Sequence, residues 1–164
     1  MRRWKDFKHL DIYNLHEKKI GFSSDIIIDF YKWEVTGITM SNISFFSKKN
    51  GFMIKCISKA DFENEKIIVQ DIEIIKGDLF SKIKGIEIVD NTNCIVGVLD
   101  DLFVDDSYNI KAILISSGLL LNFIEGKRVA LANDLKFKQK YIYLNKNIRE
   151  TLISVPHGVS REIC

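Results

Sequence analysis

The sequence predicts an all-β protein built as two tandem small units. Three observations carry that prediction. The chain repeats itself at a nearly constant offset. Its clearest segments alternate apolar and polar residues at period 2, the pattern of a half-buried strand. Turn-forming residues separate those segments at short intervals, as at Asp90-Asn91-Thr92-Asn93, Asp105-Asp106 and Lys48-Lys49-Asn50-Gly51.

The repeat runs through almost the whole chain. Leu10-Asp11-Ile12-Tyr13-Asn14 aligns with Ile86-Glu87-Ile88-Val89-Asp90 at an offset of 76 residues. Ile20-Gly21-Phe22 then meets Val96-Gly97-Val98, and Asp25 to Asp29 meets Asp101 to Asp105. Past the following turn the offset becomes 75. There Gly37 to Met40 meets Ala112 to Ile115, Gly51 meets Gly126, and Ile67-Ile68-Val69 meets Ile142-Tyr143-Leu144. One deletion, placed in a turn, is what a duplicated unit should show.

In chain order, residues 1–9 are basic, with Trp4 and Phe7 as anchors. Lys19 to Phe30 is the clearest strand. Ile20, Phe22, Ile26, Ile28 and Phe30 share one face, and Lys19, Gly21, Ser23, Asp25 and Asp29 the other. Gly21 permits a sharp bend. Val35 to Met40, Ile43 to Phe46, Phe52 to Ile57 and Lys66 to Val69 complete the first set of strands. Asp71 to Lys82 carries Ile72, Ile74, Ile75, Leu79 and Phe80, too apolar for a flexible linker, and is expected to pack between the units. The second set is Ile86–Val89, Ile95–Val104, Ile110–Ser116, Leu119–Phe123, Lys127–Leu131 and Lys140–Leu144. In the tail, Asn147 to Val155 is expected to make a helical turn or two before Pro156 stops it.

The short strand, turn, apolar-Gly-apolar strand, and Asp-apolar-x-apolar-Asp segment together resemble the PRC-barrel family. The resemblance covers roughly residues 7–69 and 83–144. It implies two tandem PRC-like β-barrels packed together, with residues 1–70 as the first, 71–82 as the connection, 83–146 as the second and 147–164 as the tail. Family members include the cytoplasmic part of the photosynthetic reaction-centre H subunit, the C-terminal half of a bacterial 16S rRNA processing factor, and small stand-alone bacterial proteins. They act mostly as docking modules. The sequence departs from the first, which has a membrane anchor, and from the second, whose N-terminal half is a different barrel, because here both halves look like the same unit.

Composition narrows the function classes. The chain is 46% hydrophobic, so it folds rather than remaining disordered. With 24 basic and 22 acidic residues the net charge is +2, far from the excess of a general nucleic-acid binder. Cys56, Cys94 and Cys164 are too few and too widely spaced for a disulfide framework or a zinc site. No apolar run reaches the ~18 residues that span a bilayer, and Met1-Arg2-Arg3-Trp4-Lys5 is not followed by a signal-peptide core. The expectation is cytoplasmic, without membrane insertion.

The copies differ in one informative way. The second long strand carries Leu99 and Phe103 opposite Val96, Val98, Leu102 and Val104, where the first has Ser23 and Ile27. Leu114 replaces Thr39. A strand apolar on both faces is covered on both faces. The expected interface residues are therefore Leu99, Phe103 and Leu114, covered by the first unit near Ile27 or by a second copy in a homodimer.

No residue pattern points to catalysis, a cofactor or a metal. Asp100, Asp101, Asp105 and Asp106 lack EF-hand spacing, and four strand steps separate Asp101 from Asp105 by about 13 Å. They read as strand-end pairs that bond turns and stay solvated. His9, His16 and His157 have no ligand spacing, and phosphate loops and nucleophile motifs are missing. The basic pairs Arg2-Arg3, Lys18-Lys19, Lys48-Lys49 and Lys127-Arg128, with alternating Lys136, Lys138 and Lys140, fit either a solvated edge strand or RNA phosphates, with Trp4, Trp33 and Phe52 available for stacking. The expected function is a non-catalytic adaptor for another protein. The alternative is a ribosome- or RNA-associated maturation factor.

Overall fold

The computed structural model describes residues 1–42, 50–70, 77–118, 126–138, 140–145 and 153–155, and these are all-β apart from one short α-helix and three 3-10 turns. The strands expected at 43–46 and 119–123 lie outside the described residues, as do residues 71–76 of the connection.

The strands are β1 (Arg2–Arg3), β2 (Asp11–Asn14), β3 (Lys19–Asp29), β4 (Glu34–Asn42), β5 (Asn50–Met53), β6 (Ile57–Asp61), β7 (Lys66–Val69) and β8 (Asp78–Leu79). The helix α1 (Phe80–Ile83) follows, then β9 (Glu87–Val89), β10 (Ile95–Val104), β11 (Ile110–Ser116), β12 (Lys127–Leu131), β13 (Leu135–Lys138), β14 (Tyr141–Leu144) and β15 (Ile153–Val155).

They form two compact units. The first comprises Arg3–Asp29 and Glu34–Lys82; the second comprises Met1–Arg2, Phe30–Trp33 and Ile83–Cys164. The first holds a sheet of order β5-β4-β3-β2-β7-β6, with β8 added to β3. The other sheet runs β13-β14-β9-β10-β11-β12-β15, with β1 added to β10. Six strands of each sheet correspond in chain order and lie in the same order in the sheet. Both sheets include one parallel pair, β2 with β7 and β9 with β14.

Backbone geometry repeats as well. His9 and Gly85 have φ of 65° and 92°, Glu17 and Asn93 have 56° and 61°, and Trp33 and Tyr108 have 55° and 66°. Each pair occupies equivalent positions. The left-handed conformation is costly for any residue with a Cβ, so its recurrence marks turns that both copies require. Gly21 and Gly97 recur for another reason. A Cβ on Gly21 would lie 2.5 Å from the Ser41 carbonyl oxygen, and one on Gly97 would lie 2.5 Å from that of Ser116. Close approach of the neighbouring strand demands glycine there.

The long strands depart from simple alternation. Their register shifts between Ser23 and Asp25 and again between Leu99 and Asp101, so Ser24 and Asp100 are the extra residues of equivalent β-bulges. One inserted residue exchanges the two faces of the strand beyond it. Phe22, expected inside with Ile26, pairs with Ser41 on the outer face and is 37% exposed. Ser23, expected outside, is 0% exposed and accepts the Leu10 amide hydrogen on its hydroxyl at 2.9 Å. In β10, Leu99 pairs with Ile115 and Leu102 with Ile113, all in the core. Leu99 is thus not on the face of Phe103, as strict alternation required.

Three further expectations are corrected. Phe52–Ile57 is not one strand; a 3-10 turn at Ile54–Cys56 divides it, and an equivalent turn occupies Ala132–Asp134. Asp100 and Asp101 do not end a strand but sit at its central bulge. Of the tail segment expected to be helical, residues 147–152 lie outside the described residues, and Ile153–Val155 is a strand paired with β12, not a helical turn. Two of its three residues are β-branched, β12 offers an unpaired edge, and Pro156 disfavours helical backbone at Val155.

Candidate interaction surface

Leu99 does not share a face of the second unit with Phe103 and Leu114. Ile27 is buried within the first unit, where β8 pairs with β3 opposite it through Leu79. Gly77 lies so near that a Cβ would come within 2.3 Å of Ile27 Cγ2. Leu99 is a core residue of the second unit. Phe103 and Leu114 do share the outer face, where half-buried Phe103 packs against a cluster of Ala112, Leu114 and Val129. Leu114 is only 5% exposed in the single chain, so its burial needs no second copy.

The acidic residues bond the backbone and basic side chains. Asp25 and Asp101, buried just after the bulges, each accept the next amide hydrogen, from Ile26 and from Leu102, at 2.9 Å. Asp25 also accepts from Trp4 Nε1 at 2.8 Å and from the Ser81 amide at 3.1 Å. Trp4 meanwhile packs on Phe80, ring centroids 5.0 Å apart. A bulge leaves backbone groups outside the strand ladder, and these carboxylates satisfy one of them. Burial pushes the Asp100 carboxyl up, but bonds from Lys127 Nζ at 2.5 Å and Lys84 Nζ at 3.2 Å outweigh it and hold the group below the usual carboxylate range. Asp105 accepts the Ser107 and Asn109 amides and pairs with Lys111, and Asp106 pairs with Arg2.

Among the described residues no three His, Cys, Asp or Glu side chains converge on a point that would hold a metal ion. His9 and His16 occupy turns; the His9 amide donates to Ser23 O and the His16 amide to Asn14 Oδ1. Cys56 is buried and Cys94 exposed, both as free thiols. His157, Cys164 and Lys48-Lys49 lie outside the described residues. Among those described, no helix is long and apolar enough to cross a membrane.

Sequence reading named parts of two surface features of the second unit, Trp33 and the alternating lysines, but not the residues they meet. The first is aromatic. Phe30 stacks on Phe137 with centroids 4.9 Å apart, Trp33 meets Phe30 edge-on at 5.2 Å, and Tyr31 meets Phe137 at 5.7 Å while remaining 80% exposed. The sequence assigns Phe30–Trp33 to the first repeat, so its place in the second unit is visible only in three dimensions. The second feature is basic. On β13, exposed Lys136 and Lys138 stand opposite Tyr143 and Tyr141 of β14. One member of each of three other basic pairs is neutralised, Lys19 on Asp11 at 2.6 Å, Lys127 on Asp100 and Arg2 on Asp106.

Neither the family models nor the curated proteins include a match to the chain.

Proposed function

We propose that the chain is a non-catalytic cytoplasmic adaptor of the PRC-barrel type that binds another protein. The observation that carries this reading is Tyr31, 80% exposed yet braced edge-on against Phe137. An exposed aromatic side chain fixed before binding loses little freedom on contact, and tyrosine is among the residues that dominate protein interfaces. Among the described residues, Asp25, Asp90, Asp100, Asp101 and Asp105 are engaged in turns, bulges and ion pairs. Two PRC-like units in one chain would present two unlike docking faces.

A second reading, an RNA- or ribosome-associated factor, is favoured by the lysines and tyrosines of β13 and β14. Affinity capture from lysate, with and without nuclease, separates the two. The adaptor reading expects a stoichiometric protein that survives nuclease and is lost with Tyr31→Ala. Ribosomal proteins and RNA that disappear on nuclease treatment would replace it with the second reading.

A further inference from the structure

The two copies carry equivalent antiparallel pairs of strands at the same place in their sheets, β6 with β7 and β13 with β14. In the first unit, Asp61 stands opposite Lys66. Lys66 Nζ caps the Tyr13 ring at 4.4 Å, and neighbouring Asp11 binds Lys19. Residues 59–66 hold two lysines and three acidic residues, a formal charge of −1. Residues 136–143 hold three lysines and no acid, a formal charge of +3. By strand pairing, Asp61, Lys66 and Ile68 of the first copy stand where the second has Lys138, Tyr141 and Tyr143.

The geometry of that second pair is specific. Lys136 faces Tyr143 and Lys138 faces Tyr141, so all four side chains share one face. Lys138 Nζ lies 5.5 Å from the Tyr143 ring centre, and the two tyrosine rings are 6.3 Å apart. Tyr141 is 38% exposed. Among the described residues none of Lys136, Lys138 and Lys140 has an acidic partner, and β13 ends its sheet. Protecting an edge from aggregation needs lysine but not two half-open tyrosines beside it. Aromatic rings about one nucleotide step apart, flanked by cations, are how single strands are held without sequence preference.

We propose that the outer face of β13 and β14 binds single-stranded nucleic acid, with Tyr141 and Tyr143 stacking bases and Lys136, Lys138 and Lys140 contacting phosphates. This deepens the second reading above and names its surface.

The test is fluorescence anisotropy of the full chain with a labelled oligouridylate of about 12 nucleotides. Parallel arms use an oligothymidylate, a duplex of equal length, and an oligoglutamate competitor. Saturable binding to single strands is expected, weakening with salt at about 0.7 log units per log unit for each phosphate contact. Lys136→Ala with Lys138→Ala should lower that slope by about 1.4. Tyr141→Ala and Tyr143→Ala should each weaken binding roughly tenfold, leaving the slope unchanged. Lys59→Ala with Lys66→Ala should change nothing, and unfolding midpoints show that each variant is folded. Whichever sugar is preferred, single-strand binding lost with the tyrosines supports the site. Equal binding of duplex, or equal competition by oligoglutamate, overturns it in favour of a charge-only surface for an acidic partner. Oligouridylate binding unmoved by these substitutions overturns the site while leaving the RNA reading standing. No binding to any strand ends both.

Discussion

The two units share a backbone and differ in what they present outward. Both place a left-handed residue at the same three turns, glycine at the same close strand approach, and a buried aspartate after the same bulge. Those requirements are steric and local, so either copy fails without them. Outward positions carry no such requirement. Around the first bulge Ser24 Oγ bonds Thr39 Oγ1 at 2.9 Å, whereas the second copy has Asp100 and Leu114 at those places. The strands β6 and β7 mix charges, whereas β13 and β14 are basic and aromatic. A duplicated fold can therefore assign separate tasks to its copies while keeping one set of folding rules.

The comparison breaks most visibly in the core. Leu99→Ala should cost about 2–5 kcal/mol in urea unfolding, and Phe103→Ala, half-buried on the other face, distinctly less. The reverse order would mean that the bulge does not exchange the faces of β10. Next in size are the glycines. Gly97→Ala and Gly21→Ala should each destabilise by about 1–3 kcal/mol, because the obstructing atom is a backbone carbonyl that cannot turn aside. A large effect at only one of them would show that the copies do not share this constraint.

A smaller effect is expected at Trp4. Trp4→Phe keeps an aromatic ring beside Phe80 but removes the donor to Asp25, and should cost about 1 kcal/mol. If thermal unfolding is unchanged, the bulge carboxylate does not depend on that bond.

The smallest difference is one of pH. Asn14 Oδ1 accepts the His16 and Lys18 amides, and Asp90 Oδ1 accepts the Thr92 and Cys94 amides at equivalent positions. The Thr92 hydroxyl and the turn amides hold the Asp90 carboxyl below its usual range. A carboxyl depressed in the folded state stabilises above its unfolded pKa of about 3.9, and that contribution disappears as pH falls through the folded value. Amide exchange at Thr92 and Cys94 should therefore accelerate on acidification relative to His16 and Lys18, and Asp90→Asn should abolish the difference. Parallel pH dependence in the two turns would show that the carboxylate charge contributes nothing.

Much of the fold was legible in the sequence. The strands Ile95–Val104 and Ile110–Ser116 follow from alternation and turn residues, and the repeat implies one strand order for both copies. Alternation misplaced Phe22, Ser23 and Leu99, because a bulge is one extra residue that leaves composition and period intact on either side of it. It becomes visible only when the partner strand supplies the register. The extended Ile153–Val155 was hidden for a similar reason, since three residues adopt strand geometry only beside an open edge. At the candidate site, the lysine alternation could be read directly, but its pairing with Tyr141 and Tyr143 depended on strand register.

The amino-acid sequence by itself determined the all-β class, the duplication, and the turns, since each follows from side-chain period or from the conformational freedom of single residues. Tertiary structure decided which face of each long strand is core, which unit receives Phe30–Trp33 and residues 78–82, and which acidic groups Lys19, Lys84 and Lys127 meet. Those outcomes depend on contacts between residues far apart in the chain, and no local pattern encodes them.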